Sequence, residues 1–234
     1  MAIGVLPTGT SDPYGLRRAA SGVIALLQDD YTAPNLRTLF EVAWKTYAEQ
    51  NVALAQDREA AFDNFNKLIN QRLENALDEL GIRYDVIAAV IGTEYANLAS
   101  VFNVAKVLES RRQSTVVAEA LAAVTRVGNI LRFAAKEGIY PVGEPDPSLF
   151  ADPTESKLWE AFSIARPKFD SSHAEGDVSA GLTLLAELRI PIDNFFNSVM
   201  IMDDDAAIRD NRLSLLTLIR SRYLRIADLE QLQS

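Results

Sequence analysis

Apolar residues recur at three- and four-residue intervals along nearly the whole chain, and no stretch alternates apolar and polar side chains between turn signals as a strand would. A chain with that single period buries its apolar side chains by packing helix against helix. The expected fold class is therefore all-α, a multi-helix bundle. The punctuation places the helices. Asp12-Pro13 reads as an N-cap followed by proline at the first helical position, opening a helix that runs through Leu16 to Leu27. A second helix is expected over 36–49 and a long one over 57–80, stopped by Gly81 as a left-handed cap. Helices over 84–91, 94–112 and 115–136 follow, the last closed by Gly138. The stretch 139–153 holds Pro141, Pro145, Pro147 and Pro153 among acidic residues and reads as an exposed loop. Helices over 154–165, 177–188, 192–199 and 206–227 complete the chain. A boundary near residues 52–57 divides a helical linker region, 1–55, from a helical domain, 56–234.

Composition narrows the function classes. The chain has 234 residues, 48% hydrophobic and 24% charged, the balance of a folded globular protein. No apolar run approaches the roughly 20 residues that span a bilayer, and the first residues lack a basic patch followed by an apolar signal core. A cytoplasmic protein without a membrane partner is expected. With no cysteine, disulfides, thiolate metal sites and cysteine nucleophiles are excluded. The single histidine, His173, sits in the polar stretch 171–176 with no base or nucleophile beside it and is expected to be a solvated loop residue. No glycine-rich phosphate loop, G-x-S-x-G elbow or H-E-x-x-H motif occurs. The Asp203-Asp204-Asp205 run lacks the ligand spacing and glycine of a calcium loop. Its place before the last helix marks it as a cap. The chain thus reads as a non-catalytic binding or docking module.

The net charge of −9 hides an uneven distribution. Residues 106–140 carry 6 basic and 3 acidic side chains and residues 211–234 carry 4 and 2, whereas residues 141–210 carry 5 and 14. Two basic segments in an acidic background suit either a restricted phosphate-binding face or ordinary solvated helix faces. On a helical projection of 122–136, Val124, Val127, Ile130, Leu131 and Ala134 share one arc. Arg126, Asn129, Phe133 and Lys136 fall opposite, with Arg132 at the edge. Such a face can hold unstacked RNA bases, the ring stacking, the cations meeting phosphate and the asparagine reading a base edge. Alternatively, Phe133 packs on a neighbouring helix. In the last helix Arg209 lies on the border of the apolar stripe and Arg212 projects into it, so Arg212 either pairs with a carboxylate such as Asp193 or Asp203–Asp205, or meets a partner.

Four stretches carry a resemblance. PIDNFFNSVMIMDDDAAIRDNRLSLLTLIRSRYLRIADLEQLQ at 191–233, PTGTSDPYGLRRAA at 7–20, LGIRYDVIAAVIG at 80–92 and TRVGNIL at 125–131 resemble, in the same order, segments of the bacterial glycyl-tRNA synthetase β subunit. The resemblance implies the C-terminal portion of such a subunit, with a helical anticodon-binding domain of the DALR type. Those four letters are absent here, and Ala207-Ile208-Arg209-Asp210-Asn211-Arg212-Leu213 is the nearest counterpart. It further implies that the upstream portion, including a histidine-aspartate type domain, lies outside this chain. ATP and glycine would be handled by a separate α subunit, leaving no cofactor in this segment. The implied partners are glycine tRNA rather than DNA, the α subunit and the rest of the β subunit. The expected RNA contacts are Arg126, Asn129, Arg132, Phe133, Lys136, Arg209 and Arg212. The alternative is a docking module within the synthetase that does not itself touch RNA.

Overall fold

The structure, a computed structural model, describes residues 12, 14–50, 53–141 and 143–233. Among these there are helices and no strands: α1 (Leu16–Leu27), α2 (Leu36–Glu49), α3 (Arg58–Glu79), α4 (Tyr84–Ile91), α5 (Leu98–Arg111), α6 (Thr115–Lys136), α7 (Pro153–Ala174), α8 (Val178–Glu187), α9 (Arg189–Ser198) and α10 (Ala206–Leu224), with 3₁₀ turns at Pro147–Leu149 and Leu229–Gln231.

Two compact units divide the chain. One takes residues 1–87 and 94–106, the other 88–93 and 107–234. This division does not follow the expected boundary at 55/56, because α1 and α2 both pack on α3. In the first unit Ala20 and Ile24 of α1 and Leu36 and Phe40 of α2 are buried, as are Leu68, Ile69 and Leu73 of α3. Phe40 meets Phe62 edge-on with ring centroids 5.2 Å apart. The Asn35 side chain accepts from Thr38 N and that of Asp57 from Ala60 N, which fixes two helix starts. The cap expected at Asp12 is different. Gly15, at φ 66°, holds the N-cap position of α1, and Asp12 reaches in from three residues before it to accept from Arg17 N at 3.1 Å. Pro13 lies outside the described residues.

Gly81 and Gly138 adopt φ of 76° and 75° and close α3 and α6. In each case the second residue beyond the cap donates back to the third-last helical carbonyl, Ile82 N to Leu77 O and Ile139 N to Ala134 O. Glycine is favoured there because a Cβ is strained at that φ.

In the second unit α6 packs against α8, α9, α10 and the Leu229–Gln231 turn, while α7 packs against α8, α9 and α10. Phe162, Phe169, Phe195, Leu216 and Tyr223 fill the space between, and the enclosed Tyr223 hydroxyl donates to Leu185 O at 2.7 Å. The helix expected to end at Ala165 continues through Pro167 to Ala174. Proline removes one amide donor there, but burial of Phe169 and Ser172 on the following turns holds the backbone helical against that loss. His173 is therefore in the last turn of α7, half-buried and stacked on Phe169 at 6.0 Å, instead of in a solvated loop. The 139–153 connection is pinned. Asn211 accepts from Asp146 N at 2.6 Å and donates to Asp146 O at 3.0 Å, and Pro145 is buried.

Candidate nucleic-acid interface

Helix α6 begins at Ser114, whose side chain accepts from Val117 N. Its inward face is lined by Val117, Ala120, Val124, Val127, Gly128 and Ala134. The small residues follow from close packing by several helices, and Ile130 and Leu131, expected inside, sit at the margin: Ile130 is buried less fully than Val127 beside it, and Leu131 is half-buried. What remains outside is a ridge that includes Asn129, Arg132, Phe133 and Lys136. Phe133 is 50% exposed, and among the described residues it forms no ring pair with a neighbouring helix. Half of the ring is therefore open to solvent and half is covered by the protein.

At the ridge, Arg126, Asn129 and Arg132 are held rather than loose. Arg126, at its border, donates to Asp193 Oδ1 and Asn197 Oδ1 of α9, both at 2.8 Å, and its guanidinium lies 4.8 Å from the Phe196 ring centroid. Arg132 donates to Asn129 Oδ1 at 2.6 Å and to Glu230 Oε1 at 2.7 Å. With its oxygen taken by Arg132, the exposed Asn129 keeps an amide donor that can address an acceptor, such as a base carbonyl or ring nitrogen. Glu230 also takes Arg220 at 3.0 Å, and its carboxylate rests directly on Gly128.

One ring escaped sequence reasoning. Tyr140 is 71% exposed, and its hydroxyl donates to Ala135 O at 3.1 Å, so it stands just past the Gly138 cap beyond Phe133 and Lys136. It lies outside the helical projection, which is why periodicity could not point to it.

The structure brings Arg126, Asn129, Arg132, Phe133 and Lys136 together on one helix and does not bring Arg209 or Arg212 to them. Arg209 pairs with Asp210 at 3.0 Å in the first half of α10. Arg212 is 5% exposed and donates to Glu155 Oε1 at 2.5 Å, Asp203 Oδ2 at 2.8 Å and Met200 O at 2.8 Å. Enclosed and bonded to three acceptors, it holds α10 to α7 and is withdrawn from solvent, so the expectation that Arg212 contacts RNA is corrected. The neighbouring carboxylates cap as expected. Asp205 accepts from Ala207 N, and Asp203 is held below its usual range first by the Asp205 amide and also by Arg212.

The helical second unit holds the span that matches an anticodon-binding family: residues 120–227 match the family described as the DALR anticodon binding domain. Residues 1–92 match the family described as the glycyl-tRNA synthetase beta subunit. Over 231 residues the chain is 33% identical to the glycine–tRNA ligase beta subunit of Clostridioides difficile, covering 99% of this chain and 32% of that protein. It is 35% identical over 233 residues to that of Acidithiobacillus ferrooxidans, covering 99% and 33%, and 36% identical over 230 residues to that of Syntrophus aciditrophicus, covering 98% and 32%. The chain belongs to the glycyl-tRNA synthetase β subunit family and spans about a third of the length of these relatives. No single helix among the described residues is long and apolar enough to cross a membrane.

Proposed function

We propose that the α6 ridge binds the anticodon arm of glycine tRNA and thereby raises the effective concentration of the acceptor end at a separate α subunit, where ATP and glycine react. The observation that carries this is the half-exposed Phe133 between Arg132 and Lys136, on a helix inside the span that matches the anticodon-binding family. A ring open to solvent stacks on an unpaired base, and its flanking cations meet the phosphates on either side. The contact set is Arg126, Asn129, Arg132, Phe133 and Lys136, with Tyr140 as a second stacking surface. Arg209 and Arg212 are not part of it. The segment needs no cofactor, its protein partners are the α subunit and the remainder of the β subunit, and it works in the cytoplasm.

The test is binding of the chain to glycine tRNA, and to the same tRNA with its anticodon bases replaced, across a salt series. Anticodon-dependent affinity that weakens with salt supports the proposal. Equal and negligible binding to both RNAs sinks it and favours a module that docks on other synthetase parts without touching RNA.

A further inference from the structure

The C-terminal end of α10 carries more guanidinium than its carboxylates saturate. On α7, Arg166, Asp170 and His173 share one face at i, i+4 and i+7, and this face lies against Arg222 and Arg225 at the end of α10. Asp170 Oδ1 serves two cations at once, being 3.4 Å from Arg222 Nε and bonded to Arg225 Nη1. Arg166 is taken by Glu144 at 2.8 Å. Three guanidinium groups thus face two carboxylates. The shared oxygen does not satisfy both partners, since Arg222 Nε has no hydrogen-bond acceptor. Burial, followed among the repulsive causes by Arg225 and Arg166, holds Arg222 below its ordinary value despite the attraction of Asp170 and Glu144. Arg225 keeps its guanidinium 5.6 Å from the Phe169 ring centroid, which restrains its orientation while one nitrogen bonds Asp170.

We infer that Arg225 and Arg222, with Arg166 beside them, form a clamp for an RNA backbone phosphate, sequence-independent and separate from the α6 ridge. The guanidinium fork matches two phosphate oxygens, and an incoming phosphate supplies the negative charge that the shared Asp170 leaves short. Position supports the assignment. Arg220 and Arg222 are two residues apart, roughly 200° around the helix axis at about 100° per residue, so Arg220 faces Glu230 on the α6 side while Arg222 faces Asp170 on the α7 side. The last turns of α10 therefore stand between the clamp and the Glu230 side of the helix. The clamp rests on the reading of this chain as an RNA binder, but its residues are different.

The experiment compares wild type, Arg225→Gln, Asp170→Asn and Phe133→Ala for affinity to glycine tRNA and to the anticodon-replaced tRNA over a salt series, with thermal melts to confirm folding. Arg225→Gln should weaken both RNAs by the same factor, roughly three- to tenfold, and reduce the salt slope by about 0.7–0.9. Asp170→Asn should tighten both by roughly two- to fivefold, because it removes the competing carboxylate. A merely structural ion pair predicts the opposite sign. Unchanged affinity and slope in Arg225→Gln, or weaker binding in Asp170→Asn, overturns the clamp. If Phe133→Ala leaves affinity and anticodon preference intact while the other two variants behave as stated, the ridge fails and the clamp stands. If no variant, wild type included, binds either RNA, both are overturned.

Discussion

The carboxylate of Glu230 occupies the space a side chain on Gly128 would need: a Cβ built on Gly128 falls 2.6 Å from Glu230 Oε2. That absence of a side chain lets the Leu229–Gln231 turn lie on α6, with Glu230, its side chain only 11% exposed, joining Arg132 on one helix to Arg220 on another. Substituting Gly128→Ala forces the carboxylate off both arginines. The expected cost is about 1 kcal/mol net, because part of the loss is returned by the better helix propensity of alanine. In a Glu230→Ala background the same substitution should become stabilising by about 0.5–1 kcal/mol. Urea unfolding of the four proteins reads this change of sign, and a cost that persists without Glu230 would rule out the steric account.

Arg212 and Glu155 make a different kind of pair, both nearly fully enclosed, with Glu155 also accepting from Ala151 N and Asp152 N at the start of α7. Arg212→Ala leaves that carboxylate buried and short of its cation. A loss of about 3–5 kcal/mol is expected by chemical denaturation. A loss below about 1 kcal/mol would show that water replaces the guanidinium at little cost.

Phe133 separates stability from binding. Since half its surface is already in water, Phe133→Ala should change unfolding free energy by no more than about 0.5 kcal/mol. RNA affinity should fall by about 1–3 kcal/mol, the usual worth of one base stacked on one ring. A destabilised fold with undiminished affinity would place the ring in the core and take it out of the interface.

His173 makes stability depend on pH in a known direction. Burial against Phe169, followed by the nearby Arg225 charge, holds its imidazole below the ordinary histidine value, with Asp170 opposing. A group whose folded pKa is depressed contributes stability that is complete above its unfolded pKa and is lost as pH falls through the folded value. Stability should therefore decline below about pH 6.5. In His173→Gln that part of the decline should disappear, as followed by melting temperature between neutral and mildly acidic pH. An identical pH profile for the two proteins would show that His173 titrates alike folded and unfolded.

Helix identity and most helix ends are written in local signals. The period along 115–136, the Ser114 cap and Gly138 bracket one continuous segment, so α6 and its outward face of Asn129, Arg132, Phe133 and Lys136 follow from the pattern of neighbouring residues alone. The stretches that carry the family resemblance are equally legible. Local signals mislead where distant packing outweighs them. The helix expected over 154–165 runs on through Pro167 to Ala174, because Phe169 is enclosed by the bundle. The proline-rich 139–153 stretch reads as free loop, yet Asn211, 65 residues from Asp146, hydrogen-bonds it in place.

The sequence by itself determined an all-α chain, the positions of its helices and the cationic, aromatic character of the α6 ridge, because helical period, caps and charge are properties of near neighbours. Only the tertiary structure decided which arginines remain available. Arg126, Arg132, Arg209 and Arg212 all sit on helices as candidate contacts. What removes Arg212 is a carboxylate 57 residues away on α7, and what orients Arg132 is one 98 residues away beyond α10. Pairing of buried charge is settled by which helices meet, and no local pattern records that.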